Sequence, residues 1–94
     1  MEQEILELLK ASPKKVMGQK QVLREIFFGN ISGVIVAKNV DSTFFNKVIT
    51  AIEGHNTTNP RDRAIKVWYA NSKEWLGQVL EIDRPCGVCG ILKS

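Results

Sequence analysis

Gly33-Val34-Ile35-Val36-Ala37 decides the fold. The run has no polar position, so a strand built from it needs cover on both faces, as a strand inside an α/β sheet has. The flanking sequence supplies that cover. Downstream, Asp41-Ser42 offers good helix caps, and Phe44, Phe45, Val48, Ile49 and Ile52 follow at helical spacing. Upstream, Val22, Leu23, Ile26 and Phe27 form an apolar stripe on a helix expected over Gln19 to Phe28. Ile5, Leu8 and Leu9 mark an earlier helix from about Gln3 to Lys10. Ser72 caps a last one that presents Trp75, Leu76, Val79 and Leu80. Strands are expected at Lys15-Val16-Met17, Ala64–Tyr69 and Gly87–Leu92. Helices alternating with strands predict an α/β fold, a three-layer α/β/α sandwich with a small mixed central sheet. The stretch Glu53–Arg63, rich in Gly, Asn, Thr and Pro, interrupts the pattern as a surface loop.

The chain has 94 residues, enough for a single domain spanning 1–94 with a thin stability margin. Its 44% hydrophobic and 24% charged residues are an ordinary globular balance. The net charge of +3 and pI near 9.0 lean weakly toward partners that carry phosphates. No apolar stretch reaches the roughly 18 residues of a membrane span. The acidic start Met1-Glu2-Gln3-Glu4 does not resemble a secretion signal. A cytoplasmic protein is the default expectation.

The helix after Gly18 carries the most informative surface. With its apolar stripe turned inward, Lys20, Gln21 and Arg24 fall on the opposite side, within the first turn and a half. Two cations and an amide thus meet at a helix start, where free N–H groups and the helix dipole already favour an anion. Gly18 keeps the approach free of a β-carbon. Lys and Arg can reach guanine O6 and N7, and Gln can pair with a base edge. Regular A-form RNA hides those atoms in a narrow groove, so such a tip suits RNA that is bent open. A plain solvated helix face is the competing reading. Phe28, on the polar side, either tucks under the end of the helix or stands out as a protein contact.

A second feature is Leu80-Glu81-Ile82-Asp83-Arg84-Pro85-Cys86-Gly87, between the last helix and the last strand. Pro85 stiffens it and holds Arg84 extended. It either presents Ile82 and Arg84 to an extruded base and a phosphate, or is a simple connection. Cys86-Gly87-Val88-Cys89 is formally a CxxC, but it leads into a strand rather than a helix and lacks companion metal ligands. Buried small hydrophobes on opposite strand faces are the expectation for both cysteines. His55, in the expected loop, reads as solvated. Neither a catalytic constellation nor a cofactor motif emerges, so the chain reads as a non-enzyme without cofactor or metal.

Three stretches then read together as a family: Gly18-Gln19-Lys20-Gln21-Val22-Leu23-Arg24, Val34-Ile35-Val36-Ala37-Lys38-Asn39-Val40-Asp41 and Leu76-Gly77-Gln78-Val79-Leu80-Glu81-Ile82-Asp83-Arg84-Pro85. Their order and spacing resemble the L7Ae/L30e ribosomal protein family, with its bacterial kink-turn-binding members looking most similar. The resemblance implies an α/β/α sandwich that binds kink-turns and related RNA, possible ribosomal RNA among them. It implies that Lys20, Gln21 and Arg24 read tandem sheared G·A pairs, with Gly18 and Gln19 near the RNA backbone. It implies that Ile82, Asp83, Arg84, Pro85 and Cys86 cover a flipped-out nucleotide, with Lys38 beside the same surface. The chain departs from the family's pattern at Phe27-Phe28, where a basic pair is common, and in a longer 54–63 stretch. Either Phe28 or that stretch is the expected place for a protein partner.

Overall fold

In the computed structural model the central apolar strand begins two residues earlier than expected and lies inside the sheet. In chain order the elements are α1 (Glu2–Ala11), β1 (Lys15–Met17), α2 (Gln19–Phe27), β2 (Ile31–Ala37), α3 (Ser42–Thr58), β3 (Lys66–Ala70), α4 (Lys73–Val79) and β4 (Val88–Leu92). The structure describes residues 2–12, 14–58 and 64–93. Strand order is β1-β4-β2-β3. β2 pairs parallel with β3 and antiparallel with β4, which pairs antiparallel with β1. The sheet is therefore small and mixed, as the sequence predicts.

Two apolar clusters cover the two faces. On one, Val22 and Ile26 of α2 and Val48 and Ile52 of α3 pack on Val34, Val36 and Val88. On the other, Ile5 and Leu9 of α1 and Leu76 of α4 pack on Ile35, Cys89 and Ile91. Strand alternation explains the partition: 34, 36 and 88 point one way, 35, 89 and 91 the other. Ile31 breaks the rule, since it joins Val34 and Val36 rather than Ile35. A bulge accounts for it. Ile31 pairs with Leu92 but Gly33 with Ile91, so one extra residue, Ser32, shifts the phase.

Two expectations fail here. α3 does not stop before Glu53 but continues through Thr58. Val48, Ile52 and His55 are all buried, so the apolar period runs on through the Gly, Asn and Thr residues that suggest a loop. His55 is accordingly an interior residue, 9% exposed, not a solvated one. Asn56 near the end of α3 accepts the Ile65 N–H through Oδ1 at 2.9 Å. Of the expected 53–63 loop, residues 59–63 lie outside the described residues. Phe27 is the second correction. It belongs to no buried stripe and is 83% exposed. At 100° per residue it stands about 140° from Val22, beyond the arc that α2 turns inward. Phe28, the C-cap of α2, is 60% exposed, so it does not tuck under the helix.

Candidate nucleic-acid interface

Gly18 begins the site. Its φ of 95° and ψ of 152° lie in a region that favours glycine. A β-carbon there would meet nothing within 4 Å, so backbone conformation, not crowding, selects glycine, and the approach stays open. The Gly18 N–H donates to Val88 O at 3.1 Å, and Gly18 O accepts from Val22 N at 3.0 Å. α2 has no side-chain cap and no acidic residue in its first turn. The positive end of the helix is thus unneutralised by its own residues. Lys20 and Gln21 in the first turn are exposed, as is Arg24, which follows on the outer side in the last turn; Gln19 is half-buried.

The loop after α4 is stapled to the helix. Glu81 takes the left-handed conformation, φ 61°. Its N–H donates to Gln78 O and that of Ile82 to Gly77 O, both at 3.1 Å, which is the Schellman pattern of a helix end. The chain then folds back over Gly77, where a β-carbon would lie 2.2 Å from Arg84 O. Cys86 N–H donates to Lys73 O, and Ala37 N–H to Gly87 O, each at 2.9 Å. These bonds fix the backbone while Asp83, Arg84 and Pro85 stay exposed and Ile82 half-buried.

Tip and loop meet at one atom. Val88 O accepts both the Gly18 N–H and the Cys86 Sγ–H, the latter at 3.1 Å. Lys38, exposed, follows Ala37, the residue bonded to Gly87. Next to it, Asn39 donates through Nδ2 to Glu74 Oε1 and accepts the Lys73 N–H through Oδ1, tying the end of β2 to α4. Gly18, Lys38 and the segment before β4 therefore lie at one end of the sheet, where β1 and β2 finish and β4 begins, while Arg24 stands in the last turn of α2.

Within that group Cys86 differs. The residue as a whole is 4% exposed, so it supports the loop from beneath. The expectation that Cys86 and Cys89 face opposite ways also fails, because Cys86 precedes β4 and strand alternation does not govern it. Both thiols sit in the α1/α4 cluster. Burial pushes the Cys86 thiol up, with the hydrogen bonds at Val88 and Gly18 partly opposing. Burial, with Cys86 nearby, pushes Cys89 up to about 12. Thiolates are the reactive form, so a thiol reagent at pH 8 is expected to label neither cysteine in the folded chain and both in denaturant. Because the folded-state value lies above the ordinary 9.0, the folded state holds its proton where the unfolded chain has lost it. The Cys89 contribution to stability is thus complete below about pH 9 and falls as pH rises toward 12. Denaturant midpoints from pH 8 to 10.5 would show the decline, and Cys89→Ala would lessen it, leaving the smaller part due to Cys86. Among the described residues no three His, Cys, Asp or Glu side chains gather to hold a metal ion.

Sequence reasoning passes over Gly77 and Glu81, which shape the loop through their backbones, and Asn39, which ties β2 to α4. The Leu76-Gly77 pair inside a capped helix is the signal for the first: glycine at an interior helical position needs a packing reason.

The whole describes a small α/β/α domain, in which a helix with an exposed cationic face starts beside a stapled loop. The chain belongs to the Ribosomal protein L7Ae/L30e/S12e/Gadd45 family, whose model matches residues 2–94. No curated protein matches its sequence. Among solved structures it is similar to a protein of unknown function from Bacillus halodurans, with 17% identity and a TM-score of 0.75, covering 95% of this chain and 81% of that one. It is also similar to the Giardia lamblia 15.5kD RNA binding protein, with 20% identity and a TM-score of 0.65, covering 99% of this chain and 74% of that one. At such identities the likeness is one of fold.

Proposed function

We propose that this chain binds RNA bent sharply enough to open its major groove, of the kink-turn type. Lys20, Gln21 and Arg24 enter the groove and read the edges of sheared G·A pairs, while Gly18 and Gln19 lie against the RNA backbone. Ile82, Asp83, Arg84 and Pro85 cover an extruded nucleotide, with Cys86 supporting them from beneath and Lys38 at the margin. The mechanism is selection of the bent conformer, not chemistry: the RNA samples the kink, and the protein binds that state better. The observation that carries the reading is the shared Val88 carbonyl, which sets tip and loop side by side before any RNA arrives. Family membership and the RNA-binding neighbour in Giardia lamblia support it.

A gel shift tests it with two RNAs, one a kink-turn and one with its G·A pairs replaced by Watson–Crick pairs. At least tenfold tighter binding to the first is expected, since each good base contact discriminates by about 1–3 kcal/mol. Equal affinity for both ends the specific claim. Affinity should also fall with salt, with a log–log slope of roughly 0.7–0.9 per phosphate contacted. Co-sedimentation with ribosomal subunits decides whether ribosomal RNA is the host. The alternative, a protein-interaction module with weak or no RNA binding, requires that neither RNA binds and that a partner survives nuclease treatment.

A further inference from the structure

Phe27 and Phe28 are among the most exposed large apolar residues of the described chain, 83% and 60%. Their position matters more than their exposure. Around the α2 wheel, Phe27, Lys20, Arg24, Phe28 and Gln21 follow one another within an arc of about 120°. The aromatic pair therefore continues the polar stripe of the tip toward the C-terminal end of the helix. The two rings meet edge to face, centroids 5.4 Å apart and planes at 80°, so both cannot be stacked on by one flat group, but each offers a face. The Arg24 guanidinium carbon stands 6.0 Å from the Phe28 centroid, which joins the cation of the last turn of α2 to the ring at its C-cap. Glu25, the acidic residue of this helix, is held toward Asn30, whose Nδ2 donates to its Oε1 at 3.2 Å.

We infer that Phe27 and Phe28 form a stacking platform for an unpaired nucleobase of the RNA strand that leaves the bent duplex. The inference rests on the RNA-binding reading and extends its footprint from paired to single-stranded nucleotides. Aromatic faces beside cations are what sequence-tolerant single-strand binding uses: the cations follow the phosphates and the rings take the bases. The geometry fits. Lys20 and Phe28 are eight residues apart, about 12 Å along the helix. That is the length of three or four stacked nucleotides at about 3.4 Å each.

The test measures affinities of the wild-type chain and the F27A/F28A double variant for a blunt kink-turn RNA. The same RNA is then given a four-nucleotide unpaired extension at each strand end in turn. Wild type is expected to gain about tenfold from one of these extensions, and the double variant to gain nothing while binding the blunt RNA as wild type does. A 2-aminopurine in the extension should be quenched by wild type and not by the variant. Both rings lie on the surface, so the variant should keep its fold, which circular dichroism verifies. An equal gain in both proteins, or a gain in neither while blunt RNA still binds, overturns the platform alone. Absence of binding to the blunt RNA overturns the RNA-binding reading and the platform with it. A concentration-dependent dimer of wild type that the double variant abolishes would assign the rings to a second copy of the chain and overturn the platform.

Discussion

Arg24→Glu is expected to lower affinity for the bent RNA at least 100-fold while leaving the fold intact. Two losses combine. A guanidinium paired with a guanine edge contributes about 1–3 kcal/mol of discrimination. A carboxylate in its place adds repulsion from the phosphates. Stability should change little, because Arg24 is exposed on the outer side of α2, and exposed substitutions of this kind usually stay within about 0.5 kcal/mol. Lys47→Glu is the informative companion. Lys47 is also exposed, but on α3, and its substitution changes the net charge by the same amount. Titration calorimetry at one fixed salt concentration should find less than a threefold loss for it. Comparable losses in the two variants would mean that total charge, and not the placement of Arg24 on the outer face of α2, governs binding, and the proposed geometry would be abandoned.

What the sequence made legible was what periodicity controls. The run 33–37 demanded a covered strand, and the helices on either side had the spacing to cover it. The wheel placed Lys20, Gln21 and Arg24 outside, where they are. It misplaced Phe27 because an apolar residue 100° from a buried one looks like an extension of the stripe until the neighbouring layer is known. α2 packs through Val22 and Ile26 alone at full burial, with Leu23 at the margin, and Phe27 falls past the edge. Composition misled at Glu53–Thr58 for the opposite reason. Gly, Asn and Thr are poor helix formers by about 0.5–1 kcal/mol each, yet burying Ile52 and His55 on one face offsets that deficit, as tertiary packing often does.

The candidate site was legible as two separate features and not as one. Nothing in the local pattern says that the start of α2 and the end of the 80–87 loop share an acceptor. That relation comes from β1 and β4 lying side by side, with Met17 opposite Cys89. The antiparallel register brings Gly18 to Val88 and, through Val88, to Cys86. Long-range pairing is what a local pattern cannot carry. The pairing also places Cys89, while Cys86 is buried by the loop before β4: as a motif they suggest redox or metal chemistry, but both are interior packing whose thiols burial keeps protonated.

Gly77→Ala should destabilise the chain by about 3 kcal/mol, against the usual preference of helices. In an ordinary helix interior that change is worth roughly 1 kcal/mol of stabilisation. At this position the new β-carbon would lie 2.2 Å from Arg84 O and 3.1 Å from its carbonyl carbon. Both are backbone atoms, and the bonds from Ile82 N to Gly77 O and from Cys86 N to Lys73 O hold that backbone down. Relief requires lifting the loop off α4, so core overpacking and loss of these bonds add. Gly54→Ala supplies the matched control. It also sits within a helix, but nothing lies within 4 Å of its β-carbon position, so the same substitution should stabilise by about 0.5–1 kcal/mol. For a domain of this size each kcal/mol shifts Tm by roughly 4–8 °C, so the two variants should move in opposite directions by clearly separable amounts. Gly77→Ala should also weaken RNA binding less than Arg24→Glu does, because it displaces the loop and spares the helix start. A Tm for Gly77→Ala at or above wild type would show that the loop does not rest on α4 as described, and the pre-set pairing of tip and loop would lose its foundation.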